Sequence, residues 1–148
     1  MRQVVKPGNA PRPRGPYSPA IVAAGFVFVA GQGAINPATD QLESGDIKSE
    51  TRRALENIKA ILEASGSSLK EVVRVGVFLA DMGDFQAMNE VYREFFPVDP
   101  PARTTVGASL PGIKVEIDCI ARVTRATKRA PASGRSARFR KRPKAQGR

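Results

Sequence analysis

An arginine at the start of a predicted strand is the strongest candidate for chemistry in this sequence. Residues 101–105 read PARTT, and a strand is predicted to begin at Arg103. The planar guanidinium group can bind a carboxylate through two parallel hydrogen bonds, so we predict that Arg103 anchors a carboxylate. Thr105 lies two residues further along and is expected on the same face of the strand. The alternative is a surface arginine that pairs with a neighbouring acid.

Two carboxylates share the polar face of the last predicted strand, which spans residues 113–123. Glu116 and Asp118 alternate there with apolar residues. Paired carboxylates can orient water, or act as acid and base, when they are partly desolvated. Lys114 and Arg122 flank the pair, so a solvated charged face is the alternative interpretation.

The residue inventory excludes several other kinds of site. The chain has no histidine and one cysteine, which excludes a disulfide framework and any histidine-containing triad or metal site. No metal site is predicted. Cys119 falls on the apolar face of its strand and is expected to be an inert core thiol. A Gly-Gln-Gly sequence at residues 31–33 lacks the third glycine and the Lys-Ser/Thr pair of a phosphate loop, so we predict no nucleotide site.

Length and charge indicate one domain followed by a basic tail. A chain of 148 residues with 41% hydrophobic content suits a single domain. Ten of its 24 Lys and Arg residues lie in residues 125–148, where there is no acid, so residues 1–124 are formally neutral. We therefore predict a domain over residues 1–123 and a disordered tail over residues 124–148. Such a tail favours weak, salt-sensitive binding to nucleic acid or another polyanion, and a solubilising extension is the alternative.

Hydrophobic periodicity predicts an alternation of strands and helices. Strands are expected at residues 2–5, 20–24, 26–30, 71–80, 103–109 and 113–123, and helices at residues 46–65 and 81–95. Asp81 is expected to cap the second helix, and residues 31–45 to form a long polar loop.

Two amphipathic helices can cover only one face of such a sheet. The predicted strand at residues 71–80 is apolar on both faces, so we expect oligomerisation to cover the other one. The longest apolar run, residues 21–30, is broken by Gly25 and is too short to span a bilayer. A cytoplasmic protein without membrane attachment is therefore the expectation.

Five short blocks, in order along the chain, resemble the Rid/YjgF family of enamine/imine deaminases. The blocks are GPYSPA at residues 15–20, FVAGQ at 28–32, NEVY at 89–92 with Phe95 and Phe96, PARTTV at 101–106 and VEID at 115–118. The resemblance covers roughly residues 3–123, and five ordered blocks are far more specific than any single motif.

The resemblance implies an α+β, chorismate-mutase-like subunit with a mixed sheet and two helices on one face. It also implies a homotrimer with three clefts between neighbouring subunits. The implied reaction hydrolyses reactive 2-imino or 2-enamino acids, such as 2-iminobutanoate and 2-iminopropanoate, to 2-keto acids and ammonia without a cofactor. The resemblance also implies roles for individual residues. Arg103 matches the arginine that binds the substrate carboxylate, and Glu116 matches the glutamate that positions the attacking water.

Further residues are implied to line the cleft, namely Tyr17, Ala30, Gly31, Asn89 and Thr105. Two of them depart from the family pattern, because well-known members have serine where this chain has Ala30 and many have cysteine where it has Thr105. Two other functions stay open at this point: a sensor that binds small acids without turnover, and an RNA-binding or translation-inhibiting protein that uses the basic tail.

Overall fold

A computed structural model describes residues 1–125, and these form a six-stranded mixed sheet with two α-helices. The elements in chain order are β1 (Gln3–Val5), β2 (Ala20–Ala23), β3 (Phe26–Gln32), α1 (Ile47–Ala64), β4 (Val72–Leu79), α2 (Phe85–Phe95), β5 (Ala102–Gly107) and β6 (Val115–Arg122). The strand order is β1-β2-β3-β6-β4-β5. Neighbouring strands are antiparallel except β4 and β5, which are parallel. The predicted α+β class is confirmed.

The hairpin between β2 and β3 turns on two residues in the left-handed region. Ala24 has φ 50° and Gly25 has φ 80°, and Ala23 pairs with Phe26 across the turn. Two central residues with positive φ match the right-handed twist of the flanking strands. The prediction that β2 extends to Ala24 was therefore wrong by one residue, because Ala24 belongs to the turn.

Helix α1 begins and ends where its capping residues predict. The carboxylate of Asp46 accepts a hydrogen bond from the backbone N–H of Ser49 at 2.8 Å, which satisfies one of the unpaired donors of the first turn. At the other end Gly66 has φ 76°, and the N–H of Ser67 donates to the carbonyl of Leu62 at 2.9 Å. This is the glycine-terminated hydrogen-bond pattern expected at a helix C-terminus.

The prediction that Asp81 caps the second helix was wrong. Asp81 instead caps a short 3-10 turn, Met82–Asp84, and its carboxylate accepts a hydrogen bond from the N–H of Gly83 at 2.8 Å. The carbonyl of Asp81 accepts from the N–H of Asp84 at 3.1 Å. Because this tight turn uses the capping groups of Asp81, α2 begins only at Phe85.

Both helices lie on one face of the sheet, as predicted, and the core lies between them and the strands. Buried residues of β4 and β6 that face the helices include Val75, Val77, Ile117 and Cys119. The opposite face, which we call the open face, carries Phe28 and Val106 at 44% and 42% exposure. Within residues 1–125, therefore, the helices cover one face of the central strands and leave the open face uncovered.

Strand boundaries differ from the predictions by at most two residues. The bond register of β3 shifts between Val29 and Gln32, and the strand extends past Ala30 to Gln32. An isolated bridge between Ile35 and Leu42 structures part of the predicted 31–45 loop. No helix within residues 1–125 is long and apolar enough to cross a bilayer. The tail that we predict to be disordered begins at residue 124. Its residues from 126 onward lie outside the described part of the chain.

Candidate active site

Arg103 projects from β5 toward α2. In the parallel register Arg103 pairs with Val75, and Thr105 pairs with Val77. Directly paired residues share a face of the sheet, and both valines are buried beneath the helices. Arg103 and Thr105 therefore lie on the helix face, two residues apart, as the sequence predicts.

The guanidinium group of Arg103 rests on two aromatic rings of α2. Its central carbon lies 4.5 Å from the centroid of the Tyr92 ring and 5.7 Å from that of Phe85. These cation–π contacts fix the orientation of the group and leave its N–H donors to other partners. No carboxylate within residues 1–125 lies at ion-pairing distance from Arg103. Within this part of the chain, therefore, Arg103 is not a surface arginine paired with an acid.

Two buried hydroxyl groups beside Arg103 lack hydrogen-bond partners among the described residues. They are the phenol oxygen of Tyr92 and the Oγ1 of Thr105. Burial raises the pKa of Tyr92 to about 12, against the opposing effects of the Arg103 charge and of an Arg103 N–H that lies near the phenol oxygen without hydrogen-bond geometry, so the phenol keeps its proton and can donate. A buried hydroxyl without a partner costs about 1–3 kcal/mol. Both groups are therefore suited to bonding a polar ligand held by Arg103.

Asn89 completes this half of the site. It lies one turn before Tyr92 on α2 and is 9% exposed. A cavity of about 400 Å³ lies beside these side chains, lined by Asn89, Tyr92, Arg93, Phe96, Pro100, Pro101 and Arg103. We call this cavity, together with Thr105, the arginine half-site.

Glu116 belongs to a different cavity on the other side of the sheet. It precedes Ile117, which pairs with Val77 on the helix face, so the side chain of Glu116 points to the open face. Its carboxylate packs directly on the backbone of Gly31, where an added Cβ would lie 2.4 Å from the Glu116 Oε1 atom. Only glycine leaves room for this contact.

A cavity of about 170 Å³ surrounds this contact. Its lining includes Arg12, Arg14, Tyr17, Gly31 and Glu116. Tyr17 is half-exposed, and its hydroxyl accepts a hydrogen bond from the backbone N–H of Arg14 at 3.1 Å. We call this cavity the glutamate half-site.

Ala30 supports the glutamate half-site through its backbone. Its N–H donates to the carbonyl of Pro19 at 3.0 Å, and its carbonyl accepts from the side-chain amide of Gln32 at 3.2 Å. These bonds hold the loop before β2 against β3 and thereby fix Gly31. The methyl side chain adds no hydrogen-bonding group to the site.

Asp118 and Cys119 do not join either half-site. The carboxylate of Asp118 accepts a hydrogen bond from the backbone N–H of Gly76 at 3.0 Å, so it is engaged in the sheet. Burial raises the pKa of the Cys119 thiol to about 12, with a contribution from the Asp118 charge, which keeps the thiol protonated. The predicted position of Cys119 in the core is confirmed. Within residues 1–125 no three His, Cys, Asp or Glu side chains converge as metal ligands.

Two buried polar residues of α1 position the glutamate half-site, and the sequence interpretation missed both. Glu50 is 1% exposed and accepts a hydrogen bond from the backbone N–H of Lys114 at 2.7 Å, two residues before Glu116. Asn57 donates to the carbonyls of Gly33 and Ile35 at 3.2 and 2.8 Å. Their signal in the sequence is a polar residue at helical spacing within the apolar stripe of α1.

The structure thus separates the residues that the sequence interpretation placed in one cleft. Arg103, Thr105 and Asn89 lie on the helix face, and Tyr17, Gly31 and Glu116 lie around the open face at the other cavity. A single chain therefore presents two half-sites that do not meet.

Known proteins match this chain over the same region. The family model described as endoribonuclease L-PSP matches residues 7–123. A RutC family protein of Pyrococcus horikoshii is 54% identical over 123 residues, covering 82% of this chain and 98% of that protein. The 2-iminobutanoate/2-iminopropanoate deaminase of Dermatophagoides farinae is 40% identical over 121 residues, covering 80% and 94%.

Solved structures have the same fold. A Yersinia pestis protein of unknown function from the Rid protein family superposes with a TM-score of 0.80 at 38% identity, covering 83% of this chain and 100% of that chain. TdcF of E. coli with bound serine superposes with a TM-score of 0.76 at 34% identity, covering 81% and 98%.

Proposed function

The chain belongs to the Rid/YjgF family, whose model is described as endoribonuclease L-PSP, and on that premise we propose that it hydrolyses 2-imino and 2-enamino acids to 2-keto acids and ammonia. The relative named 2-iminobutanoate/2-iminopropanoate deaminase supports this substrate class. The observation that supports this proposal most strongly is the arrangement around Arg103, whose guanidinium lies on two aromatic rings. Two hydroxyl groups beside it have no hydrogen-bond partner among the described residues. That arrangement suits the carboxylate of a small acid.

We further propose that the active site forms between subunits of a homotrimer. A closed ring of three chains gives three equal interfaces, at each of which the arginine half-site of one subunit meets the glutamate half-site of the next. Support comes from the apolar open face, where Phe28 and Val106 are exposed in the single chain. The arginine half-site contains no carboxylate that can orient water, and the glutamate half-site does not contain Arg103.

Hydrolysis in such a cleft needs position more than a strong nucleophile. Arg103 holds the carboxylate of the substrate, and the hydroxyls of Tyr92 and Thr105 supply further hydrogen bonds. The imine carbon is already electrophilic, so fixing it beside an oriented water removes most of the entropic barrier. Glu116 accepts a proton from that water as its oxygen bonds to C2. Glu116 returns that proton to the imine nitrogen, which gives the carbinolamine. The proton of the C2 hydroxyl then moves to the same nitrogen through Glu116, and the C–N bond breaks, which releases ammonia and leaves the keto acid.

A coupled assay tests the proposal. A threonine dehydratase generates 2-iminobutanoate from L-threonine, and the release of 2-oxobutanoate is timed with and without the full-length protein. We expect acceleration by the wild type and a fall in kcat/KM of about 10²- to 10³-fold for Arg103→Ala, since charge-assisted bonds contribute about 1.5–3 kcal/mol each. No acceleration by the wild type would refute the deaminase function, and an unchanged rate for Arg103→Ala would refute the role of Arg103 as carboxylate anchor.

A further inference from the structure

Two arginines line the glutamate half-site, and the proposed reaction uses neither of them. Arg12 and Arg14 lie in the loop before β2 and border the same cavity as Tyr17, Gly31 and Glu116. Hydrolysis of a simple 2-imino acid needs one carboxylate anchor, and Arg103 supplies it from the other half-site. A positively charged group in the glutamate half-site is therefore available to bind a second anionic group of a ligand.

Asp40 holds both arginines in place but neutralises only one. Its carboxylate accepts a hydrogen bond from the backbone N–H of Arg12 at 2.9 Å and lies 3.4 Å from the Arg12 Nε atom. The guanidinium of Arg14 donates instead to the backbone carbonyl of Asp40 at 2.5 Å. No carboxylate within residues 1–125 pairs with Arg14. Arg14 is exposed and has no acidic partner in this part of the chain, and its guanidinium is held by the Asp40 carbonyl.

The backbone of Arg14 is also tied to the cleft. Its N–H donates to the Tyr17 hydroxyl at 3.1 Å, so the arginine and the tyrosine form one unit of the cavity wall. The cavity lining thus includes two arginines and, as its acidic residue, Glu116. Because Asp40 pairs with Arg12, Arg14 is the arginine of this cavity that is left to bind an anion, beside Glu116 as the residue that orients water.

We propose that Arg14 binds the second carboxylate of a dicarboxylic 2-imino acid, of the class of 2-iminosuccinate and 2-iminoglutarate. This inference rests on the proposed function. The C1 carboxylate of such a substrate binds Arg103 of one subunit, and the distal carboxylate binds Arg14 of the next. The reaction is unchanged, because water adds to C2 and ammonia leaves. Two charged contacts at opposite ends of the substrate would also fix C2 between them.

Selectivity between two substrates tests this inference. 2-Iminosuccinate is generated in place from L-aspartate by an aspartate-oxidising enzyme, and 2-iminobutanoate from L-threonine by a threonine dehydratase. We expect the wild type to favour the dicarboxylate by about ten-fold or more in kcat/KM, and Arg14→Gln to lower that ratio about ten-fold, as the loss of one charge-assisted contact requires. Arg14→Lys should keep most of the preference, because it retains the charge.

Lys59→Gln is the matched control. Lys59 is exposed on α1, and its replacement removes one positive charge away from both half-sites, so activity and the substrate ratio should stay as in the wild type. A wild type that turns over 2-iminobutanoate but shows no preference for the dicarboxylate would overturn the inference and leave the deaminase function standing. An Arg14→Gln variant with an unchanged ratio would do the same.

Failure of the deaminase function gives a different result, namely no turnover of either substrate. Calorimetric titration of the full-length protein with 2-oxoglutarate and 2-oxobutanoate then tests whether Arg14 binds a second carboxylate. Tighter binding of 2-oxoglutarate that is lost in Arg14→Gln would support it. Equal binding of the two acids, or displacement of 2-oxoglutarate by an equal concentration of phosphate, would overturn it.

Discussion

The two half-sites of this chain are held in place by different means. The arginine half-site is made by regular structure, since Arg103 is the second residue of β5 and its guanidinium rests on aromatic rings of α2. The glutamate half-site depends on loops. Glu116 lies on β6, but its surroundings come from the segment around Tyr17 and from the bulged end of β3 at Gly31. Packing fixes the first half-site, and a set of backbone hydrogen bonds fixes the second.

This difference suggests a division of labour. A carboxylate anchor benefits from a rigid platform, because its geometry then costs no ordering when the ligand binds. A loop-lined cavity can change its residues without disturbing the core, and loops commonly carry specificity for that reason. We therefore expect the family-wide function to depend on the arginine half-site and the choice of substrate to depend on the glutamate half-site.

The largest expected effects distinguish the two half-sites by kinetic parameter. Arg103→Ala removes an interaction with the bound substrate and should act mainly by raising KM. Glu116→Gln keeps the shape of the side chain but removes the proton acceptor, and we expect kcat to fall about 10²-fold with little change in KM. Steady-state kinetics of both variants in the dehydratase-coupled assay measure the split. Equal falls in kcat alone for both variants would contradict the assigned roles.

A smaller effect is expected when the position of Glu116 is changed without removing its carboxylate. In Gly31→Ala the new Cβ would lie 2.4 Å from the Glu116 Oε1 atom, so the carboxylate must move. Displacement of a water-positioning group by about 1 Å should lower kcat by roughly 10- to 100-fold. Gly8→Ala is the matched control, since no atom lies within 4 Å of its added Cβ, and it should behave as the wild type. Full activity of Gly31→Ala would show that this contact does not position Glu116.

The buried carboxylate of Glu50 should affect stability more than catalysis. Glu50→Ala leaves the backbone N–H of Lys114 without its acceptor, which should lower the free energy of unfolding by about 1–3 kcal/mol. Glu56→Ala removes an exposed carboxylate from the same helix and should cost no more than about 0.5 kcal/mol. Urea denaturation of the two variants measures the difference. Equal losses of the free energy of unfolding would show that Glu50 does not support β6.

Local patterns in the sequence predict much of the fold. Asp46 and Gly66 delimit α1 because capping is a local interaction, and alternation along residues 113–123 places Ile117 in the core and Glu116 outside it. Asp81 was misassigned, since the choice between a 3-10 turn and an α-helix depends on where its carboxylate finds a donor.

The site, too, could be predicted where short local motifs identify a residue and not where a contact joins distant parts of the chain. The resemblance of short motifs names Arg103 and Glu116, and the placement of these residues is consistent with complementary halves of one cleft. The sequence does not reveal that Arg14 borders the cavity of Glu116, because that contact depends on a hydrogen bond to Asp40, 26 residues away. Nor does it reveal that the rings of Tyr92 and Phe85 lie against Arg103, which requires α2 to pack over β5.

Complementation between two inactive variants tests the shared active site most directly. Arg103→Ala and Glu116→Gln chains, which carry different affinity tags, are co-expressed, and the mixed oligomers are purified by one tag and then by the other. In a cyclic trimer a site is intact only when its arginine half comes from the Glu116→Gln chain and its glutamate half from the Arg103→Ala chain. Every mixed trimer then has one intact site of three, so the purified mixed oligomers should have about one third of wild-type activity. Activity no higher than that of the separate variants would place both residues in the site of a single chain, or in no common site, and would contradict the account.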